Sequence, residues 1–243
     1  MPVVDIPGVL RYKKSGKNDK MTEIPAGEFK HIALEGVFHA GKTQWAELLS
    51  QRLGGKIVQD RPENPYLKDF YDEKDGAAFL SQLVFLVNRY HQQSRLVQRD
   101  LFEERVFCDY IFEKDKIYAY QTLSDDELVV YDKIYGVFAE RIPKPDLVIY
   151  LQIGLPTLMR RIARQGTPLD RNISEKYLQD LIEAYDYFFF NYQATPLLVV
   201  KSDELDAARE DHIDDLVAQI VGMKKTSLYY VPSSFAGAPA KKR

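Results

Sequence analysis

Residues 36–43 read Gly-Val-Phe-His-Ala-Gly-Lys-Thr, a GxxxxGK[ST] motif that sits between a short apolar run at 31–34 and a helical pattern opening at Thr43. The motif dictates a strand, a tight glycine-bearing loop and a helix in that order. Glycines let backbone N–H groups wrap around phosphate oxygens, and the helix N-terminus adds positive potential. Lys42 is spaced to reach the outer phosphates of a nucleotide, and the Thr43 hydroxyl to hold magnesium. Gly36, Val37, Phe38, His39, Ala40, Gly41, Lys42 and Thr43 are therefore the candidate nucleotide-binding residues. His39 reads as a spacer or packing residue, since main chain and lysine do the work of such a loop.

The rest of the chain repeats that strand-then-helix alternation. Short runs rich in Ile, Leu and Val lie at 31–34, 56–58, 106–108, 147–151 and 197–200, as in buried parallel strands. Helical spacing fills 43–53, 78–98, 125–141, 156–164 and 174–192, with Leu128, Tyr131, Tyr135 and Phe138 on one face and a Ser124/Glu127 capping box. The expectation is an α/β fold, five parallel strands covered by helices on both faces, with ligands at the carboxyl ends of the strands.

The 243 residues are 45% hydrophobic and 28% charged, enough to bury one core. Residues 30–222 form the expected domain, between a loosely ordered arm at 1–29 and a flexible basic tail at 223–243 that ends in Lys241, Lys242 and Arg243. A net charge of −3 disfavours a nucleic-acid polymer as partner. The single cysteine, Cys108, excludes an internal disulfide and fits a reducing compartment, the cytoplasm. No apolar run approaches the roughly 20 residues of a membrane helix, and the first thirty residues lack a signal-peptide stretch.

Further residues carry a resemblance. Glu63-Asn64-Pro65-Tyr66-Leu67 with Phe70-Tyr71 follow the loop, then Phe79, Phe85-Leu86 and Arg89-Tyr90. Asp109-Tyr110, Pro143-Lys144-Pro145-Asp146, Arg161-Ile162, Gly166, Asp170, Tyr177-Leu178, Tyr185 and Phe188-Phe189 complete the series. In this order the chain resembles the bacterial deoxyadenosine/deoxyguanosine kinases of the deoxynucleoside kinase family. The resemblance implies a P-loop kinase with a helical lid, acting as a homodimer in nucleotide salvage. It would transfer the γ-phosphoryl group of ATP, with Mg2+, to the 5′-hydroxyl of a deoxynucleoside, a purine one favoured. It also implies that Tyr71 contacts the sugar 3′-hydroxyl and that Asp170 stands where relatives place a glutamate on that hydroxyl. Tyr118 lies near the aromatic that flanks the base, Gln82 and Arg89 are the substrate candidates of the second long helix, and Asp109 helps organise the metal. Residues 202–206 resemble the loop near the adenine of ATP.

Four positions depart from that pattern. Relatives carry a glutamate base five residues before the Asn-Pro pair, where this chain has Gln59, and a carboxamide cannot take a proton. Asp60 is adjacent and is the candidate base; successive strand residues face opposite ways, so the sequence leaves open which of the two enters the cleft. Leu80 follows Phe79 where relatives have a base-reading glutamine, and Gln82 lies roughly 200 degrees further round the helix. The lid reads Gln165-Gly166-Thr167 in place of Arg-Gly-Arg, leaving Arg161 and Arg164 as the cations for the phosphates. Cys108-Asp109-Tyr110 lacks the arginine that many relatives place beside the acid. These departures keep two other readings open: a catalytically impaired nucleotide-binding protein with a regulatory or scaffolding role, and a kinase for a modified nucleoside or other small acceptor. Glu113 and Asp115 read as solvated acids, residues 203–215 as a solvated loop and helix start, and His212 as a surface residue. The aromatic cluster from Tyr185 to Tyr192 reads as core and dimer packing.

Overall fold

Buried aliphatic strands set the architecture of the computed structural model, which describes residues 9–13, 21–25, 29–61, 63–98, 105–223 and 227–230. Two N-terminal strands, β1 (Val9–Lys13) and β2 (Met21–Pro25), pair antiparallel with each other. The main sheet holds β3 (His31–Glu35), β4 (Lys56–Val58), β5 (Val106–Cys108), β6 (Leu147–Gln152), β7 (Leu197–Lys201) and β8 (Leu228–Tyr230). All its pairings are parallel, in the order β4-β5-β3-β6-β7-β8.

The sheet thus has six strands, not the expected five. The sixth, Leu-Tyr-Tyr, lies in the segment expected to be a tail. Residues of that type suit a sheet edge, and the Tyr230 side chain is buried with its hydroxyl donating to Asp215. The basic end of the tail lies outside the described residues.

Helices α1 (Lys42–Leu53), α2 (Leu67–Tyr71), α3 (Ala77–Gln98), α4 (Lys114–Thr122), α5 (Asp125–Ala139), α6 (Leu155–Gln165), α7 (Glu175–Phe190) and α8 (Glu210–Gly222) join and cover the strands. Ile32, Leu34, Phe107, Leu147 and Ile149 are fully buried at the centre of the sheet. A second cluster, Leu86, Phe112, Tyr131 and Tyr135, fills the space between α3, α4 and α5. The expected apolar face of α5 is the packed one, and its capping box is formed. Residues 210–222 are not a solvated start: Ile213, Leu216, Val217 and Ile220 bury one face of α8, and Arg52 of α1 pairs with Asp214 at 2.7 Å. His212 is buried rather than on the surface, because Nδ1 accepts the Asp206 N–H at 3.0 Å. Among the described residues, no helix is long and apolar enough to cross a membrane.

Candidate active site

The phosphate loop leaves the carboxyl end of β3, where a parallel sheet presents its ligand crevice. Gly36 has φ +154° and a Cβ there would lie 2.6 Å from the Leu151 carbonyl oxygen, so only glycine fits. Gly41 (φ +100°) precedes α1, whose first turn has no side-chain cap, leaving its N–H groups for an anion. Lys42 Nζ folds over the loop onto the carbonyls of Gly36 (2.6 Å) and Val37 (3.0 Å). Burial, then the charge of Lys114, lowers its pKa to about 8. Beneath the loop, the fully buried Glu35 accepts from the N–H of Gly36 (2.8 Å) and of Ile111 (2.9 Å), fastening the loop to the chain beyond β5.

Thr43 donates its hydroxyl to one oxygen of Asp109, whose other oxygen accepts the Asp60 N–H at 2.5 Å. A hydroxyl and a carboxylate beside a phosphate loop are hard oxygen donors, the set that magnesium takes together with substrate phosphates. The expected metal pair is thus brought together, and its chemistry fits the ion.

The acceptor side is a chain of charges. Asp60 turns into the cleft, accepting from Arg89 Nε (2.9 Å) and Nη2 (2.8 Å) and from Lys114 Nζ (2.8 Å). Burial alone would raise its pKa, but Lys114 and Arg89 outweigh that and hold the carboxyl well below the usual range. Gln59 points the other way, to Glu47 on α1 at 3.1 Å. Arg89 continues to Asp115, which is fully buried and pushed up to about 6 by desolvation despite the guanidinium. Asp115 is therefore not a solvated acid: the turn of α4 that carries it faces α3. Gln82 is buried beside this chain, its amide donating to Thr122 at 3.2 Å and its carbonyl oxygen left without a donor among the described residues. Leu80 stands 42% exposed on the outer side of α3. The helix therefore turns the glutamine, not the leucine, inward.

The lid makes different use of its cations. Arg161 on α6 donates to the carbonyls of His39 (3.1 Å), Ala40 (2.8 Å) and Ser202 (2.8 Å) and to the Ser202 hydroxyl (3.0 Å). In this arrangement it braces the phosphate loop against residues 202–206. Arg164 is exposed and makes no hydrogen bond or ion pair among the described residues. Asp170, in a single helical turn (Asp170–Asn172), approaches His39 of the loop at 3.2 Å. Tyr71, at the end of α2, has its phenol pushed up to about 12 by burial and then by the charges of Tyr118 and Asp170.

Three site residues lay outside the sequence-based candidates: Glu35, Lys114 and Asp115. Lys114 and Asp115 stand on one helical turn just after Asp109, and an acid beside a lysine in a polar stretch carries no pattern that separates it from a solvated face. Glu35 is the one acid in the apolar run of β3, which was a usable signal.

The deoxynucleoside kinase family profile matches residues 32–224. The deoxyguanosine kinase of Bacillus subtilis is 37% identical over 179 residues, covering 72% of this chain and 86% of its own. The deoxyadenosine/deoxycytidine kinase of the same organism is 25% identical over 205 residues, covering 79% and 92%. The structure of deoxyadenosine kinase from M. mycoides with bound dCTP superposes with a TM-score of 0.66 at 25% identity, covering 79% of this chain and 99% of that one.

Proposed function

The chain belongs to the deoxynucleoside kinase family and is a phosphotransferase, and on that premise we propose that it transfers the γ-phosphoryl group of ATP to the 5′-hydroxyl of a purine deoxynucleoside. The observation that supports this most is Asp60, an ionised carboxylate set beside the metal-type pair Thr43/Asp109 and within one hydrogen bond of two cations.

The loop N–H groups and Lys42 grip the transferring phosphates and spread their charge. Magnesium, held by Thr43 and Asp109, would neutralise charge on the phosphate oxygens. Asp60 accepts the hydrogen of the 5′-hydroxyl and aims its oxygen at the γ-phosphorus; the loose transition state of phosphoryl transfer asks for alignment more than for a strong base. Lys114 and Arg89 keep Asp60 in place and ionised. Gln82, on the inward face of α3 with its carbonyl oxygen lacking a donor among the described residues, is the side chain we assign to reading the base. Tyr71 and Asp170 close on the sugar.

Turnover with magnesium-ATP and each natural deoxynucleoside and ribonucleoside, monophosphates separated by mass, tests this reading. A purine deoxynucleoside monophosphate as main product is expected; none from any nucleoside overturns it.

We further infer a homodimer joined through α4 and α7, a reading supported by Tyr120 at 54%, Tyr187 at 74% and Phe190 at 89% exposure, while Tyr185 and Phe189 are core. Such a patch suits a partner more than water. Sedimentation should give a dimer, and Tyr187→Glu with Phe190→Glu a monomer; a monomer in the parent protein ends the idea. The buried thiol of Cys108 suits a reducing compartment such as the cytoplasm.

A further inference from the structure

His39 has φ +59°, a left-handed backbone that a residue with a β-carbon adopts at a cost and that glycine or asparagine takes readily. A plain spacer at this place would be glycine. The histidine side chain has a contact that glycine cannot make: Nε2 lies 3.2 Å from Asp170 Oδ2, across the cleft from the phosphate loop to the lid. Its position is fixed on two further sides, by the Phe38 ring at 5.6 Å and by Arg161 on its carbonyl oxygen.

Asp170 is held by the same oxygen elsewhere. Oδ2 also accepts the Thr167 N–H at 2.8 Å, and the Asp170 N–H returns to the Thr167 hydroxyl at 3.2 Å. Among the described residues nothing donates to Oδ1. The carboxylate is thus pinned through one oxygen with the other open.

We propose that His39 is a positioning residue for sugar recognition: from inside the phosphate loop it fixes one oxygen of Asp170 so that the other meets the sugar 3′-hydroxyl beside Tyr71. Recognition of the acceptor sugar and alignment of the donor cradle then share one contact. The inference rests on the kinase reading and adds to it a residue of the donor loop that acts on the acceptor.

The test compares the full chain with His39→Gly and His39→Asn, using a 2′-deoxynucleoside and the same nucleoside lacking its 3′-hydroxyl. Glycine suits the loop backbone, so His39→Gly removes the contact without straining the fold. It should raise KM for the deoxynucleoside roughly tenfold, the size of one hydrogen bond to a charged group. KM for ATP should stay within about twofold, and the 3′-deoxy substrate should not distinguish the proteins. Asparagine tolerates the same backbone and can donate from its amide, so His39→Asn should recover most of the loss. Equal losses for both acceptors, a matching rise in KM for ATP, or no change at all would overturn the proposal. If the parent chain forms no product, it is the kinase reading that fails; calorimetric dissociation constants for the same acceptors and proteins, with the same pattern expected, then decide the role of His39.

Discussion

The two halves of the cleft are built by opposite means. On the donor side the chemistry is main chain: eight consecutive residues, two glycine conformations and a helix end form the cradle, and Lys42 even bonds the loop's own carbonyls. On the acceptor side nothing is local. Asp60, Gln82, Arg89, Lys114 and Asp115 come from the residues after β4, α3 and α4, and all but Gln82 are held by another's charge. A backbone site tolerates changes around it as long as its glycines stay, whereas a side-chain network can exchange members. Lys114, five residues after Asp109, brings its ammonium to Asp60 in this way.

The sharpest way to break this contrast is at Lys42, the side-chain cation of the donor loop. Lys42→Ala should lower kcat about a thousandfold, since it removes a cation from the developing charge; a loss below tenfold, measured by steady-state turnover, would mean the main chain suffices. Asp60→Asn comes next, with kcat expected to fall about a hundredfold or more while the KM for ATP holds. Its stability should change as well. A carboxyl whose folded pKa is depressed stabilises above its unfolded value, near 3.9, and loses that contribution as pH falls through and below it. Urea unfolding at neutral pH should therefore show a loss of about 2 kcal/mol for the variant, and the gap should close in acid. A constant gap across pH would remove Asp60 from the charge network.

The same contrast governs what was legible in the sequence. The loop, the helix after it and the central strands were readable because their signals are local: glycine spacing, apolar runs, the Ser124/Glu127 box. The orientation of Gln59 and Asp60 was not, because the end of a short edge strand takes its facing from Arg89 and Lys114, 29 and 54 residues away in sequence but adjacent in space. Gln82 shows the limit of matching by position: set beside Leu80 it looked misplaced, yet the turn of α3 buries it and exposes the leucine. Arg161 shows another, since a lid arginine beside a phosphate loop suggests a phosphate ligand, and here it is taken up by three carbonyls and a hydroxyl. The sixth strand was not legible because Leu-Tyr-Tyr at the sheet edge is largely exposed and lacks the Ile/Leu/Val run that marked the inner strands.

The smallest effect tests whether the halves are as separate as their construction suggests. Lys42 is held near 8 first by burial and then by the charge of Lys114, which belongs to the acceptor side. Polyphosphate capture needs the charged ammonium, so kcat/KM for ATP should fall as pH rises through about 8 in the parent protein. Lys114→Met keeps the apolar stem and removes the like charge, so Lys42 should stay protonated to higher pH. The alkaline limb should then move upward by a fraction of a pH unit, while kcat drops because Asp60 has lost one of its two clamps. A limb that stays put, with kcat still lowered, would show that Lys114 serves Asp60 alone and that donor and acceptor sides are electrostatically independent.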